Sequence, residues 1–407
     1  MTLIVKKYGG SSLSSVAKLK NIAKNINDLH YGLDQKLVIV LSAMGSSTDK
    51  LVDLSRRAVK DTNKRDYDML LSSGEQVSIA MLSMLINDLG GRAIPLTGWQ
   101  AGIKTDSSHA NARIKSINTK RIKAELRKNN IVIIAGFQGM TSEDNISTLG
   151  RGGSDITAVA LAAALKADEC HIFTDVDGVY TTDPRICPKA RRLDLLTYEE
   201  MLEMSGLGSK VLQLRSVEFA SKYNVPIRVL HAHNNQALGT LITKEEKKME
   251  GALISGIAFT KDEAEIMIKG VKDQPGVAAK ILGPIGTAKI EIDMIVQNVG
   301  SNGLADFTFT VSRNTLKNAI KVIEKNKKNM GYSSYDTKNN IVKVSLIGVG
   351  MRSHAGIASK MFKCLAKNKV NIRMISTSEI KISVVIDQKN LEIAVQALHN
   401  EFKLDKK

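Results

Sequence analysis

Cysteine is scarce in this chain: Cys170, Cys187 and Cys364 are the only three in 407 residues, scattered and without paired spacing. That usage suits a reduced cytoplasm and argues against a disulfide framework or a structural zinc site. Aromatic residues are only 4% of the chain, too few to build stacking platforms for nucleic acid. No run of about 18 apolar residues occurs, which argues against a membrane span. The opening Met-Thr-Leu-Ile-Val-Lys-Lys holds too short an apolar stretch for a signal peptide. No low-complexity or proline-rich linker is present. Positive charge, by contrast, is in excess, at +17. The lysines are spread over segments such as 317–328 and never alternate with aromatics, so the charge reads as a solvated surface that favours anionic ligands. With 43% hydrophobic residues, the chain can bury a large core and should divide into two or three domains.

Short apolar, β-branched runs at Leu3–Val5, Leu37–Leu41, Ile131–Ala135, Cys170–Thr174 and Val225–Leu230 read as buried parallel strands. Helical patterns at 16–29, 50–59, 67–89, 112–128, 156–165 and 209–222 alternate with them. The alternation predicts a three-layer α/β domain with a mostly parallel sheet and ligands at the carboxyl ends of its strands. A charged linker follows at 244–250. Beyond it, Gly276-Val-Ala-Ala-Lys-Ile-Leu282 is echoed by Gly356-Ile-Ala-Ser-Lys-Met-Phe362. Ile290-Glu-Ile-Asp-Met-Ile295 is echoed by Val370-Asn-Ile-Arg-Met-Ile375, at the same offset of 80 residues. Two matches in one register indicate duplication of a βαββαβ, ferredoxin-like unit. The expected domains are 1–245, 246–335 and 336–407, with strand 254–260 a candidate to complete the last.

Thr148-Leu-Gly-Arg-Gly-Gly-Ser-Asp155 runs into an Ala- and Leu-rich helix, with Ser154 or Asp155 as the expected N-cap. Glycines at a helix start let backbone amides approach an anion, and the helix terminus adds partial positive charge. Arg151 offers a planar fork for a carboxylate, and Asp155 a partner for an ammonium. Lys7-Tyr-Gly-Gly-Ser-Ser12 follows the first strand and has the makings of a phosphate loop, although the Walker spacing is absent. Ser42–Asp49 repeats that logic after the second strand. Glu75 interrupts an apolar helix, so it is either partnered or at a site edge. Residues 174–185 form a long acidic hairpin after a strand, an ordinary surface turn or a nucleotide-binding one.

These segments, with Gly136-Phe-Gln-Gly139 and Lys210–Glu218, resemble the aspartokinases of the amino-acid kinase family over nearly the whole chain. The duplicated unit resembles paired ACT domains, which bind feedback amino acids. The length is similar to that of the shorter members, which lack a fused dehydrogenase. Two segments depart from the family pattern: Ala355 where proline is usual, and His231-Ala-His-Asn-Asn235 at the domain junction. The sequence leaves open whether Met249 begins a separate regulatory polypeptide, as in some relatives.

The resemblance implies transfer of the γ-phosphoryl group of MgATP to the side-chain carboxylate of L-aspartate, in the cytoplasm, as the first step toward lysine, threonine and methionine. It implies catalytic roles for Lys7, Lys210 and Asp155. ATP would be bound by Lys7, Tyr8, Gly9, Gly10, Ser42, Thr174, Asp175, Tyr180, Arg185 and Lys210. Aspartate would be bound by Thr48, Glu75, Arg151, Gly152, Gly153, Ser154 and Asp155. Asp273, Gly276, Ala278, Gln297, Asn298, Asn371 and Ile372 are the matching effector positions, for lysine, threonine or both, in a homodimer or larger assembly. Mg²⁺ would be held through the nucleotide phosphates with no dedicated protein cage. An aspartate carboxylate, with a pKa of roughly 4, needs no general base. A kinase of another carboxylate within the same family, a catalytically silent amino-acid sensor and a nucleic-acid binder are the rival readings. The duplicated unit and Ser73-Gly-Glu75 weigh against the first, the intact lysines and Arg151 against the second, and the scattered charge against the third.

Overall fold

The computed structural model describes residues 2–32, 35–207, 211–233, 238–244, 253–300, 303–349, 351 and 356–406. Lys210, Asn234, Asn235, Met249 and Ala355 therefore lie outside the described residues. The chain divides into two compact units, residues 1–180 with 192–249, and residues 181–191 with 250–407.

The first unit begins with β1 (Leu3–Tyr8), α1 (Val16–Gly32), β2 (Lys36–Leu41), α2 (Ser47–Ala58) and α3 (Lys64–Asp88). β3 (Ala93–Leu96), β4 (Ile103–Thr105), β5 (Ile114–Ile117), α4 (Lys120–Arg127) and β6 (Ile131–Ala135) follow. Next come β7 (Gln138–Met140), β8 (Ile146–Thr148), α5 (Gly153–Leu165) and β9 (Glu169–Thr174). β10 (Leu195–Thr197), α6 (Tyr198–Gly206), α7 (Leu214–Tyr223), β11 (Ile227–His231) and β12 (Thr240–Thr243) complete it.

Eight strands form the main sheet in the order β10-β12-β11-β9-β1-β2-β6-β3, with only the β11–β12 pair antiparallel. On one face, Leu19, Ile22 and Ile26 of α1 and Ile79, Leu82 and Ile86 of α3 pack on Ile39, Leu41, Ile133 and Phe173. On the other, α5 lies against β1, β2 and β9. α5 is apolar on nearly every side, as a helix buried all round must be. α3 is long and apolar enough to cross a membrane by length and composition; in this fold it is a core helix. A small sheet, β5-β4-β7-β8, lies beyond the main one. The predicted helix over 112–128 is instead β5 followed by α4, because Ile114 and Ile117 enter a strand and the helix restarts after Thr119. The predicted helix from Ser209 begins only at Leu214 among the described residues.

The second unit holds β13 (Leu253–Lys272), α8 (Val277–Thr287), β14 (Ile292–Val299), β15 (Leu304–Val311), α9 (Leu316–Lys325) and α10 (Lys327–Met330). β16 (Ser334–Val349), α11 (Ile357–Lys367), β17 (Ile372–Thr377), β18 (Lys381–Asp387) and α12 (Leu391–Glu401) form the second copy. One sheet, β14-β15-β13-β16-β18-β17, runs through both copies. The two long strands are shared between them. The latter half of β13 pairs with β15, and Ile266 and Ile268 enter the first core. The first half of β13 pairs with β16, and Ile257 and Phe259 enter the second core. Residues 254–260 thus supply the strand that the second copy lacks after α12.

Residues 181–191 depart from the expected unbroken 1–245 domain. Ile186 and Cys187 are buried in the core formed by α11, α12 and β18. Gln396 donates to the Ile186 carbonyl at 2.8 Å, the Ile257 amide donates to Thr181 O at 2.7 Å, and Thr181 Oγ1 lies 3.0 Å from His399 Nε2. This arm leaves the first unit at Tyr180 and rejoins it at Arg192, two residues that form an antiparallel bridge.

Candidate active site

The parallel register aligns the carboxyl ends of three strands: Tyr8 pairs with Leu41, and Leu41 with Ala135. Lys7, Ser42 and Gly136 are therefore brought together by the sheet. Lys7, Gly10, Ser42, Thr48, Glu75, Arg151, Gly152, Gly153, Ser154 and Asp155 line one cavity of about 280 Å³, with Ala43, Gly45, Phe137 and Gly150. A Cβ on Gly10 would stand 2.9 Å from the Ala43 carbonyl oxygen, so the loop after β1 lies directly on the loop after β2.

α5 points its N-terminus into this cavity. Its N-cap is Gly152, in the left-handed region at φ 73°, and not Ser154 or Asp155. The helix therefore starts earlier than the polar pair suggests, and Asp155 becomes its third residue. The Asp155 carboxylate Oδ1 sits 2.5 Å from Lys7 Nζ, so strand and helix hold each other through the two charged groups. Lys6 is buried elsewhere, its Nζ 5.9 Å from the centre of the Phe173 ring, and burial lowers its pKa to about 8.

Glu75 enters from α3. Its Oε1 accepts from the Ala43 amide at 3.1 Å, while Oε2 is buried with no hydrogen-bond partner among the described residues. Burial raises its pKa to about 7, against the two backbone hydrogen bonds that lower it. Arg151 is exposed at the cavity, and no described side chain pairs with its guanidinium. The cavity therefore offers, among the described residues, both an unsatisfied carboxylate oxygen and an unpaired guanidinium beside a helix N-terminus.

Several expected site residues are placed otherwise. Tyr8 lies in the core, its ring stacked on Phe173 at 4.5 Å, with burial pushing its hydroxyl pKa far up. The Gly9 amide points at the Phe173 carbonyl, 3.4 Å away. Thr174 ends β9, the strand beside β1, Asp175 follows it, and the two side chains bond each other at 3.0 Å. The Tyr180 hydroxyl donates to Asp177 at 2.8 Å. Arg185 belongs to the arm in the second unit, exposed and forked onto Asp183.

The expected effector residues all lie in the second unit. Asp273 precedes Gly276, the N-cap of α8, with Ala278 exposed in its first turn. Gln297 and Asn298 are exposed on the edge strand β14; Asn371 and Ile372 are at the start of the opposite edge, β17.

Sequence reasoning missed Asp68 and His109, and gave no role of their own to Thr148 and Arg215, although both lie in segments it singled out. Asp68 is fully buried and accepts from Thr148 Oγ1 at 2.5 Å and the Ala110 amide at 3.0 Å. The signal was available: Asp68 stands two turns before Glu75 on the same apolar helix. Among the described residues, no three His, Cys, Asp or Glu side chains converge as a metal site would require.

Residues 2–231 match the amino acid kinase family, and residues 265–327 and 344–402 each match an ACT domain. The aspartokinase of Pseudomonas aeruginosa is 55% identical over 407 residues, spanning 100% of this chain and 98% of that protein. Among solved structures, the aspartate kinase of Clostridium acetobutylicum is similar at TM-score 0.81 and 26% identity, over 98% of this chain and 100% of its own. Escherichia coli aspartokinase III, in complex with aspartate and ADP, shares the fold at TM-score 0.78 and 22% identity, over 98% and 99% of the two chains.

Proposed function

This chain belongs to the aspartokinase family, and we propose which of its residues perform that family's reaction. The enzyme phosphorylates L-aspartate with ATP to give 4-phospho-L-aspartate and is feedback-regulated through its ACT domains. We assign the aspartate α-carboxylate to Arg151 and the N-terminal amides of α5, and its ammonium to Glu75 with the remaining oxygen of Asp155. The observation that carries this assignment is that Glu75 Oε2 and the Arg151 guanidinium line the same cavity and neither has a partner among the described residues. Those are complementary receptors for the two charged ends of an amino acid. Ser42, Thr48 and Ser154 complete the polar lining.

The side-chain carboxylate of aspartate then attacks the γ-phosphorus. An O–P bond forms, the bond to the β–γ bridging oxygen breaks, and ADP leaves with its electron pair. The nucleophile is already ionised at neutral pH, so no residue has to remove a proton. What must be supplied is alignment of two anions and neutralisation of the charge on the transferring group. Lys7 is proposed for that work, a reading supported by its ion pair with Asp155 at the cavity, with Gly10 letting the phosphate loop approach closely. Lys210 is proposed to assist from the resemblance alone. Thr174, Asp175, Tyr180 and Arg185 are proposed for the nucleotide from the resemblance. Mg²⁺, held through the phosphates, would add further neutralisation.

The effector is proposed to be lysine, threonine or both. Assembly as a homodimer or larger is supported by the two open sheet edges, β14 and β17, which expose Ile295, Val299 and Ile375. A cytoplasmic location is supported by three free, buried thiols. Steady-state kinetics test the site assignment. Arg151→Lys and Glu75→Gln should each raise KM for aspartate and leave that for ATP unchanged, the first because an ammonium cannot reproduce a forked contact, the second because a neutral amide loses the charge facing the substrate ammonium. Equal rises for both substrates would move Arg151 to the nucleotide.

A further inference from the structure

The guanidinium of Arg151 is unpaired among the described residues, but the backbone that carries it is held from two sides, by the buried carboxylate of Asp68 and the half-buried guanidinium of Arg215. On one side, Asp68 of α3 accepts from Thr148 Oγ1 at 2.5 Å and from the Ala110 amide at 3.0 Å, and faces His109 Nδ1 at 2.8 Å. On the other, Arg215 in the first turn of α7 donates to Leu149 O at 2.7 Å, Asn111 Oδ1 at 3.1 Å and Ala112 O at 3.2 Å. Thr148 and Leu149 are the residues immediately before Gly150 and Arg151. Ala110 and Asn111 form the floor beneath them: a Cβ on Gly150, whose φ is +76°, would stand 3.0 Å from Asn111 Oδ1 and 3.1 Å from Ala110 O. Both sides of the clamp thus grip the same two strands of chain at the root of the Arg151 loop.

A fully buried carboxylate is costly unless it is hydrogen-bonded or paired. Asp68 spends its oxygens on one hydroxyl, one amide and one imidazole, all belonging to this loop and its floor. It stands seven residues before Glu75, so one rigid helix presents both groups on the same side. We propose that Asp68 and Arg215 are positioning residues for aspartate binding, fixing the root of the Arg151 loop so that the guanidinium is already in place when substrate enters. The proposal rests on the assignment of Arg151 to the α-carboxylate. Such preorganisation lowers the cost of binding without any contact to the substrate.

The test is steady-state kinetics on the full chain, with aspartate and ATP varied separately. Asp68→Asn and Arg215→Gln should each raise KM for aspartate about tenfold, the scale of a lost charged hydrogen bond, with KM for ATP unchanged. Thr148→Ser should behave as the parent and Thr148→Val as Asp68→Asn. In an Arg151→Ala background, neither Asp68→Asn nor Arg215→Gln should raise KM for aspartate further, since the group they position is gone. The same fold-rise with or without Arg151 would overturn the proposal, as would a fall in turnover with both KM values unmoved. If Arg151→Ala raises KM for aspartate but Asp68→Asn, Arg215→Gln and Thr148→Val do not, the clamp fails and the assignment of Arg151 stands. If Arg151→Ala leaves KM for aspartate unchanged, both fail. Should Asp68→Asn not fold, Thr148→Val removes a single hydroxyl and reads out the same clamp.

Discussion

Glu263 and Lys343 occupy the same position in the two copies of the duplicated unit, 80 residues apart, and their charged groups meet at 3.2 Å in a buried site. The pattern extends to a second equivalent pair, Asp293 and Arg373. Asp293 joins Lys343, and Arg373 forks onto Glu265 at 2.7 and 3.0 Å. The first copy is thus acidic where the second is basic. The two halves are complementary to each other at these positions, which favours pairing of unlike copies over like ones.

Lys343→Met should therefore strip the countercharge from a buried Glu263 and destabilise the regulatory unit by about 3–5 kcal/mol. Urea unfolding of the full chain followed by a probe in that unit measures it. A loss smaller than about 1 kcal/mol, the range of an exposed pair, would show that water reaches the site.

Lys7→Ala should lower turnover about a hundredfold, or roughly 3 kcal/mol, with a far smaller effect on KM for aspartate. Lys6 cannot substitute, because its ammonium is buried near Phe173. Near-normal turnover in Lys7→Ala would remove Lys7 from the phosphoryl path.

Glu75 sets a pH dependence. Its folded pKa of about 7 lies above the ordinary 4.5, so it loses its charge as pH falls through 7. KM for aspartate should rise over that interval in the parent enzyme and stay flat in Glu75→Gln. Stability runs the other way. A carboxyl whose folded pKa is raised contributes stability that is complete below 4.5 and lost as pH rises through 7. Thermal melts of the parent relative to Glu75→Gln should therefore fall between those values. A constant difference between the two melts would place Glu75 in contact with solvent.

Gln297→Ala or Asn371→Ala should relieve inhibition by lysine or threonine and leave uninhibited turnover intact. Both residues are exposed on the regulatory unit and outside the catalytic cavity. Calorimetric titration of the same proteins separates lost binding from lost coupling. Undiminished inhibition in both variants would place the effector elsewhere.

Ile186→Ala should destabilise the regulatory unit and not the catalytic one, by about 2–5 kcal/mol for a cavity in a packed core. Ile186 lies between two catalytic-unit segments in sequence, but its side chain belongs to the second copy's core. A drop confined to the catalytic unit's melting would contradict that placement.

Periodicity and short motifs made much of this protein legible. Alternating apolar runs located β1, β2, β6, β9 and β11, since strands buried on both faces must be continuously apolar. The 80-residue echo exposed the duplication, and glycine-rich turns at strand ends marked the cavity. Lys7, Arg151 and Glu75 stood out because each breaks an apolar or small-residue context. The short strands β4, β7 and β8 carried no such signal, being only three residues long.

Local sequence determined the buried central strands β1, β2, β6, β9 and β11 and which turns carry glycine, because these depend on neighbours a few residues apart, and comparison of the sequence with itself showed that the second half is a repeat. Tertiary structure alone decided the long-range pairings. It brought Lys7 to Asp155 across a strand and a helix, and Thr148 to Asp68 across 80 residues. It also moved the arm 181–191 into the regulatory unit and Tyr8 into the core. A charged or aromatic side chain finds its partner through the packing of the whole chain, and no short window of sequence contains that information.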